Sequence, residues 1–383
     1  MMAYPSAFSR QELQHYSRHL LVPEIGLEGQ QKLQKGRVLV VGAGGLGCPA
    51  LQYLAAAGVG TIGIVDDDVI QASNLHRQIL YGVSDIGADK VVVAKKRLRE
   101  INPHITVRTY HERLTAQNAP GIVADYDIVL DGTDNFPTRY LVNDLCVLQN
   151  KTNVYGSIFR FEGQVAVFNH LKPDGTRGPN YRDLFPVPPP PGMVPSCAEA
   201  GVLGVLPGII GSLQASEVIK ILTGIGDPLD GKLLLFDALA MMMRKLTVPR
   251  ADPRPVIDQL IDYEVFCGVA GDDTSQPAAE EITVQQLKQM QDDHANFQLV
   301  DVREPYEYEI SNLAGDLIPL SSLATRYSEI RQDKPVVVHC RSGQRSAKAI
   351  AQLREKHGFN NLVNLKGGLL AYAEEIDSEV AQY

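Results

Sequence analysis

The chain has 383 residues, of which 44% are hydrophobic and 21% are charged, a composition typical of a folded protein with about two domains. Its formal net charge of −9 disfavours a nucleic-acid-binding protein. The sequence has neither an apolar run long enough to cross a bilayer nor a secretory signal at its start. We therefore expect a cytoplasmic protein that binds no nucleic acid and no membrane.

Five cysteines are present, at positions 48, 146, 197, 267 and 340. Their number is odd, their spacings are wide, and no two of them form a Cys-x-x-Cys pair. A disulfide framework, or a zinc site built from cysteines alone, is therefore not expected. Each cysteine has to be judged individually, as a core residue or as a nucleophile.

Short apolar runs alternate with helical periodicity over the first two thirds of the chain. The predicted strands are 37–41, 61–65, 106–110, 128–131, 153–158, 163–168 and 232–237, and the predicted helices are 47–57, 88–101, 137–148 and 208–222. Continuous apolar runs indicate buried parallel strands, whereas the alternation in 163–168 indicates an added antiparallel strand. This order predicts an α/β fold with a doubly wound, mostly parallel, Rossmann-like sheet.

A smaller α/β pattern follows a polar, acidic segment that begins near residue 270. Its predicted strands are 298–302, 335–339 and 362–365, and its predicted helices are 284–291 and 346–357. Because the acidic segment has few large apolar residues, it is the expected linker. We expect a first domain over residues 1–270, a linker over 271–281 and a second domain over 282–383.

A glycine-rich loop, Gly42-Ala43-Gly44-Gly45-Leu46-Gly47, directly follows the first predicted strand. Such glycines allow a tight turn and let backbone N–H groups approach a phosphate at a helix N-terminus. Asp66 ends the second strand, where a carboxylate can recognise ribose hydroxyls. Taken alone, this pattern suits an NAD-dependent oxidoreductase as well as an enzyme that binds ATP.

Polar and charged side chains after the second and fourth strands favour a triphosphate. They are Ser73, Asn74, Arg77, Lys90, Asp134 and Asn135. Ligands bind at the carboxyl edge of such sheets, and a carboxylate such as that of Asp134 can hold Mg²⁺ there. Cations together with a metal-binding carboxylate stabilise charge on a reacting phosphate, for which an NAD-dependent oxidoreductase has no use.

Residues 8–268 closely resemble the MoeB/ThiF-type adenylyltransferases, which are related to ubiquitin-activating enzymes. The resemblance rests on the Tyr-Ser-Arg-His sequence at 16–19, the glycine loop, residues 74–77, Lys90, Asp134-Asn135 and the Ser-Cys-Ala-Glu-Ala-Gly sequence at 196–201. It implies an enzyme that uses ATP and Mg²⁺ to adenylate the C-terminal Gly-Gly carboxylate of a ubiquitin-like sulfur-carrier protein. It also implies a homodimer.

Carried over position by position, the resemblance implies an ATP-contacting set made of Gly42, Gly44, Gly45, Asp66, Ser73, Asn74, Arg77, Lys90, Asp134 and Asn135. Among these residues it implies that Arg77 is catalytic and that Asp134 is both the Mg²⁺ ligand and a catalytic carboxylate. It implies that Arg18 reaches the ATP of the partner protomer across the dimer interface.

Cys197 follows the Pro- and Gly-rich segment 172–195, which is expected to be a surface loop. Its position alone favours a structural cysteine, whereas the resemblance implies a catalytic thiol that ranks behind Cys340. Relatives often hold a zinc ion with two Cys-x-x-Cys pairs, which would fall here at 180–183 and near 250–255. Because both places lack cysteines, we expect no structural zinc and expect the proline-rich loop to supply the stability instead.

The predicted strand 335–339 runs into Cys340-Arg341-Ser342-Gly343-Gln344-Arg345, with a helix expected from residue 346. Such a loop points backbone N–H groups inward and stabilises a thiolate or an anion, helped here by two arginines. Cysteine phosphatases place five residues between the cysteine and the loop arginine, whereas four separate Cys340 from Arg345. The shorter loop resembles that of the rhodanese sulfurtransferases, as do residues 301–304, 315–319 and 365–368.

This second resemblance implies that Cys340 carries a persulfide, that Arg345 is part of its catalytic loop, and that the sulfur is transferred to the adenylated carrier to give a thiocarboxylate. Molybdopterin, thiamine and related pathways use this chemistry, and a cysteine desulfurase or thiosulfate would supply the sulfur. Two alternatives stay open from the sequence: an NAD-dependent oxidoreductase with a regulatory rhodanese-like module, and a non-catalytic protein that binds partners.

Overall fold

A computed structural model describes residues 8–190, 201–268 and 280–381. The chain divides into two compact units, Met1–Asp272 and Asp273–Tyr383, each with a sheet of its own. Within the described ranges, every helix is too short or too polar to cross a membrane. Cys197 and most of the expected linker lie outside the described residues.

The sheet of the first unit has eight strands in the order β3-β2-β1-β4-β5-β6-β7-β8. The strands are β1 (Arg37–Val41), β2 (Thr61–Val65), β3 (Thr106–Tyr110), β4 (Ile128–Asp131), β5 (Thr152–Phe159), β6 (Glu162–Phe168), β7 (Lys232–Asp237) and β8 (Met242–Thr247). Strands β1 to β5 pair in parallel, and β6 to β8 extend the sheet in antiparallel fashion. The predicted doubly wound, mostly parallel sheet is confirmed.

Helices cover both faces of this sheet. They are α1 (Arg10–His15), α2 (Ser17–Leu20), α3 (Gly26–Lys35), α4 (Gly47–Ala57), α5 (Lys90–Ile101), α6 (Ala119–Val123), α7 (Phe136–Leu148), α8 (Tyr181–Leu184), α9 (Leu206–Thr223) and α10 (Tyr263–Phe266). Leu54 of α4 and Ile210 of α9 bury their side chains in one core, and Leu141 of α7 lies in the core on the other face. Burial on both faces explains why the parallel strands are continuous apolar runs.

The edge strand β8 is a feature that the sequence does not predict. All six of its residues are exposed, so Met242–Thr247 shows no alternation of buried and exposed positions. Pairing with β7 alone makes it a strand. Helix α9 extends beyond the predicted 208–222 at both ends. It begins earlier because Pro207 is tolerated in the first turn, and it ends where Gly224, whose φ is 75°, caps it.

The second unit has a five-stranded parallel sheet in the order β11-β10-β12-β13-β9. Its strands are β9 (Glu281–Ile282), β10 (Gln298–Asp301), β11 (Asp316–Leu317), β12 (Val336–His339) and β13 (Leu362–Leu365). Its helices are α11 (Val284–Asp292), α12 (Pro305–Ile310), α13 (Leu323–Arg326), α14 (Gln344–His357) and α15 (Gly368–Glu375). Glu281, which composition places in the linker, pairs with β13 and so belongs to this sheet.

Candidate functional site

A cavity of about 300 Å³ lies at the carboxyl ends of β1, β2 and β4, where the strand order of the first sheet reverses. Doubly wound sheets bind their ligands at such a point. The cavity lining includes most of the residues predicted to contact ATP: Gly42, Gly44, Gly45, Asp66, Asn74, Arg77, Lys90, Asp134 and Asn135. Residues more than 90 positions apart in the sequence therefore meet in one place.

Two predicted residues do not line the cavity. The carbonyl oxygen of Ser73 accepts a hydrogen bond from Nη1 of Arg77 at 2.9 Å, so Ser73 orients a lining residue through its backbone. Arg18 is exposed on α2. A role for Arg18 at its own protomer's cavity therefore has no support in the described geometry.

Two glycines of the loop are required by the backbone. Gly42 has a φ of 92°, in the left-handed region that favours glycine. A Cβ atom at Gly47 would lie 1.9 Å from the carbonyl oxygen of Gly42, which is shorter than any real contact. The loop therefore turns directly under the first turn of α4, and this close approach places it at the edge of the cavity.

The carboxylate of Asp66 braces the glycine loop. One oxygen accepts a hydrogen bond from the N–H of Ala43 at 2.7 Å, and the other accepts from the N–H of Asp68 at 2.9 Å. Burial raises the pKa of this carboxyl above its ordinary value, although the Lys90 cation opposes the shift. Asp66 thus fixes the loop as well as lining the cavity.

A buried cation lies against the acidic turn that follows β2. Nζ of Lys90, whose side chain is 4% exposed, lies 2.6 Å from Oδ2 of Asp68. Because the carboxylate of Asp68 is largely exposed, this pair can open toward a competing anion. The cavity therefore holds one cation on a rigid helix, and Arg77 on the neighbouring loop supplies a second.

The segment that carries Asp134 is held by a buried ion pair. Asp131 accepts hydrogen bonds from the N–H and hydroxyl of Thr133, and Nη2 of Arg139 donates to the Thr133 carbonyl at 3.2 Å. The Arg139 guanidinium lies 3.8 Å from Asp131 and packs over the ring of Tyr155. Asp134 is exposed to the cavity on this fixed segment, and no donor among the described residues binds its oxygens.

Several residues that line the cavity were not predicted from the sequence, namely Gln78, Glu112, Arg113 and Thr138. Gln78 is 3% exposed, and its Oε1 has no hydrogen-bond partner among the described residues. Its position directly after Arg77 was the available signal. Glu112 and Arg113 follow β3, and their contribution depends on the neighbouring position of β2 and β3, which composition does not reveal.

The two places where relatives would hold zinc contain a different cross-link here. The side chain of Asp183 is fully buried and accepts hydrogen bonds from the N–H groups of Asn180 (2.7 Å) and Ala251 (3.0 Å). Arg254 pairs with the same carboxylate at 3.3 Å. Asn180 uses its side-chain oxygen to cap α8. Because these donors are engaged and no thiolate is present, the site does not fit a zinc ion.

Cys340 lies in a tight loop at the end of β12 and is 1% exposed. The N–H of Gly343 donates to its Sγ at 3.2 Å, and the hydroxyl of Ser346 lies 3.5 Å from the same sulfur. Gly343 has a φ of 91°, which turns the backbone toward the sulfur. The expected thiol cradle at a helix N-terminus is therefore present, with neutral donors around the sulfur.

Helix α14 begins at Gln344, two residues before the predicted start, so Arg345 lies inside its first turn. Both terminal nitrogens of Arg345 donate to the carboxylate of Glu307, at 2.6 and 2.7 Å. Although burial opposes the shift, the bond from Arg345 holds the pKa of Glu307 below its ordinary value. The charge of Arg345, one of the two arginines that the sequence assigns to the Cys340 loop, is thus balanced by a carboxylate from α12.

A buried ion pair supports the strand that carries Cys340. Asp301 and Arg303 are both fully buried, with Nη2 of Arg303 at 2.6 Å from Oδ2 of Asp301. His339 is also fully buried and lies 3.8 Å from Asp301. Burial lowers the pKa of His339 below its ordinary value, although Asp301 opposes this shift and Arg303 adds to it.

This burial predicts a pH dependence for the second unit. Below the ordinary histidine pKa of 6.5, the unfolded chain takes up a proton that folded His339 does not accept. The contribution of neutral, buried His339 to the free energy of unfolding should therefore be complete above pH 6.5 and decrease as the pH falls below it. Pulse proteolysis in urea at several pH values, following peptides of the second unit, measures the slope of the free energy of unfolding against pH. His339→Asn should flatten it, whereas the exposed control His294→Asn should not; equal slopes in both variants would contradict this prediction.

Comparisons with known proteins agree with this geometry. Residues 16–256 match the ThiF family, and residues 283–375 match the rhodanese-like domain. The chain is 49% identical over 382 residues to a probable adenylyltransferase/sulfurtransferase MoeZ of Mycobacterium tuberculosis, covering 99% of this chain and 97% of that protein. It is 55% identical over 269 residues to a sulfur carrier protein adenylyltransferase of Thermus thermophilus, covering 68% of this chain and 99% of that protein.

Similarity of this kind extends to animals. The adenylyltransferase and sulfurtransferase MOCS3 of Mus musculus is 42% identical over 417 residues, covering 100% of this chain and 90% of that protein.

Among solved structures, MccB of E. coli superposes with a TM-score of 0.56 at 22% identity, covering 67% of this chain and 75% of that one. That likeness supports the fold alone. The relatives that match nearly the whole chain are adenylyltransferases and sulfurtransferases. They exclude the two alternatives left open by the sequence, an NAD-dependent oxidoreductase and a non-catalytic protein. The chain belongs to the ThiF family, carries a rhodanese-like domain after its ThiF region, and is an adenylyltransferase and sulfurtransferase.

Proposed function

We propose that the first unit uses ATP and Mg²⁺ to adenylate the C-terminal Gly-Gly carboxylate of a ubiquitin-like sulfur-carrier protein, and that the second unit supplies the sulfur. One observation carries the proposal: Arg77, Lys90 and Asp134 line a single cavity at the switch point of the sheet. Similarity to the sulfur carrier protein adenylyltransferase of Thermus thermophilus supports a sulfur carrier as the substrate.

In the first step, an oxygen of the carrier carboxylate attacks the α-phosphorus of ATP, and pyrophosphate leaves with the electron pair of the broken P–O bond. Arg77 and Lys90 would stabilise the developing phosphate charge, with Lys90 exchanging Asp68 for a phosphate oxygen. The oxygens of Asp134 have no other donor among the described residues, so they fit a hard cation. When bound there, Mg²⁺ would neutralise phosphate charge.

Cys340 carries the second step. The terminal sulfur of its persulfide attacks the acyl carbon, and AMP leaves with the electron pair of the C–O bond. The product is an acyl disulfide, which the thiolate of Cys197 would attack at the Cys340 sulfur to release the thiocarboxylate. The Cys197–Cys340 disulfide then requires an external dithiol reductant. A cysteine desulfurase or thiosulfate would load the next sulfur.

The remaining features of the proposal concern assembly and location. We propose a cytoplasmic homodimer in which Arg18 of each protomer serves the ATP of its partner. Arg18 is exposed on α2 and is not among the residues that line its own cavity, which supports that arrangement. We also propose a linker between the domains expected over 1–270 and 282–383, with Glu281 added to the second domain because it pairs with β13.

We also propose that the enzyme holds no structural zinc. Asp183 instead cross-links the two segments, 180–183 and 250–255, where zinc-binding cysteines would lie. Asp183→Ala should lower the free energy of unfolding of the first unit by about 2 kcal/mol, because three donors lose a buried acceptor. Urea unfolding measures this loss. The matched control Asp125→Ala, which removes exposed ion pairs with Arg37 and Arg108, should cost about 0.5 kcal/mol or less.

Chelation distinguishes the two kinds of cross-link. Incubation with EDTA should leave the unfolding midpoint of the wild-type enzyme unchanged. A lowered midpoint that zinc restores, but magnesium does not, would contradict the absence of structural zinc.

The overall function is tested by incubating candidate carriers that end in Gly-Gly with enzyme, ATP and Mg²⁺, and by following the exchange of radiolabelled pyrophosphate into ATP. Exchange should depend on the carrier and should stop when its terminal glycine is removed. Tight binding of NADH without such exchange would refute the proposal.

A further inference from the structure

The pair formed by Glu307 and Arg345 brings a carboxylate from another helix to the Cys340 loop. Glu307 is 3% exposed. Its carboxylate oxygens accept hydrogen bonds from both terminal nitrogens of Arg345 and from the N–H of Glu304. The carboxylate is ionised, since its pKa lies below the ordinary value. A bidentate pair of this kind is a strong, geometrically fixed interaction. It orients Arg345 and compensates its charge at the same time.

The donors that reach Sγ of Cys340 include the Gly343 N–H and the Ser346 hydroxyl, which are neutral. A net positive charge beside this sulfur would affect two reactions in opposite directions. It would attract a small anionic sulfur donor by Coulomb interaction. It would also pair with the anionic persulfide and so reduce its nucleophilicity toward a neutral acyl carbon. The charge balance at Arg345 therefore matters for donor selection as well as for stability.

We propose that Glu307 is a specificity-determining positioning residue, which cancels the charge of Arg345 and thereby limits the use of free anionic sulfur donors at Cys340. The inference rests on the proposed persulfide chemistry of Cys340. For such a donor, thiosulfate, the Cys340 thiolate attacks the sulfane sulfur, the S–S bond of thiosulfate breaks, and sulfite leaves with its electron pair. Cyanide then removes the terminal sulfur of the persulfide as thiocyanate and returns the thiolate.

The probe is the thiosulfate:cyanide sulfurtransferase reaction of the full-length enzyme, which requires neither ATP nor a carrier. Glu307→Gln should lower KM for thiosulfate by roughly tenfold, because the Arg345 guanidinium, in the helix turn that closes the Cys340 loop, is then uncompensated. This gain should diminish as salt is added. In the same variant, transfer of sulfur from preloaded Cys340 to the adenylated carrier should slow. A purely structural role would impair both reactions together, and that outcome overturns the proposal.

Matched variants separate charge from shape. Glu309→Gln, an exposed carboxylate on the same helix, and Glu307→Asp, which keeps the charge, should both retain the wild-type KM. The double variant Glu307→Gln/Arg345→Gln removes the guanidinium as well and should lose the gain in affinity that Glu307→Gln alone produces. If the double variant keeps the lowered KM, the charge of Arg345 is not what attracts the donor, and the proposal is wrong.

The result is separable from the proposed function of the first unit. A chain that turns over thiosulfate but adenylates no carrier would refute the adenylation proposal and leave this one standing. A chain that adenylates a carrier but shows no change in KM for thiosulfate on Glu307→Gln would refute the role proposed for Glu307 and leave the adenylation proposal standing.

Discussion

Cys340→Ala should leave carrier-dependent ATP–pyrophosphate exchange at the wild-type rate and abolish thiocarboxylate formation. The first unit contains every residue proposed for adenylation, so removal of a thiol in the second unit takes nothing from that step. The persulfide, in contrast, forms on Sγ of Cys340, and no described cysteine lies in a comparable cradle. Pyrophosphate exchange and mass spectrometry of the carrier measure the two steps separately.

Other cysteines serve as controls for this result. Burial raises the pKa of Cys267 to about 11, so this cysteine is mainly a neutral thiol at neutral pH. Cys267→Ala should keep both steps. Cys197→Ala should keep adenylation and sulfur loading but accumulate the acyl disulfide on Cys340. Loss of adenylation in Cys340→Ala to the same extent as loss of sulfur transfer would contradict the assignment of the two steps to the two units.

Asp134→Ala should have the converse effect. It should reduce carrier-dependent pyrophosphate exchange by about 10² to 10³-fold, the range typical when one group that stabilises transition-state charge is removed. Asp134→Asn should be nearly as impaired, since the amide keeps the shape and loses the charge. The thiosulfate:cyanide reaction at Cys340 should continue at the wild-type rate, because it does not use the nucleotide cavity.

The control for Asp134 is Asp125→Ala. Asp125 is exposed, pairs with Arg108 at 2.8 Å, and lies outside the cavity lining. This substitution should change the exchange rate less than twofold. If Asp134→Ala exchanged pyrophosphate at the wild-type rate, the carboxylate would have no part in adenylation, whatever its position in the cavity.

Much of the fold follows from the sequence because its strands are buried on both faces. Strand β1 coincides with its predicted bounds, since a continuous apolar run that ends in glycine has few other interpretations. Strand β8 could not be predicted, because an exposed edge strand has no pattern of burial to detect. Helices α1 and α2 contain no buried residue, so periodicity could not identify them. The buried residue nearest to both is Tyr16, which lies between them.

The candidate site shows the same division. The loop glycines and Asp134 follow predicted strands directly, so topology places them at one edge of the sheet. Arg113 and Glu307 were not predicted, because each reaches its site through a tertiary contact between elements distant in the sequence. The pairing of Arg345 with Glu307 spans 38 residues, and composition offers no sign of it.

The central claim is that a nucleotide cavity and a thiol cradle carry out successive halves of one acyl-sulfur reaction. It is tested most directly by mass spectrometry of a Gly-Gly-ended carrier incubated with wild-type enzyme, ATP, Mg²⁺ and a sulfur source. We predict that the terminal carboxylate becomes a thiocarboxylate and that one AMP and one pyrophosphate appear for each carrier converted. Thiocarboxylate formed without cleavage of ATP, or no AMP with any such carrier, would contradict the claim.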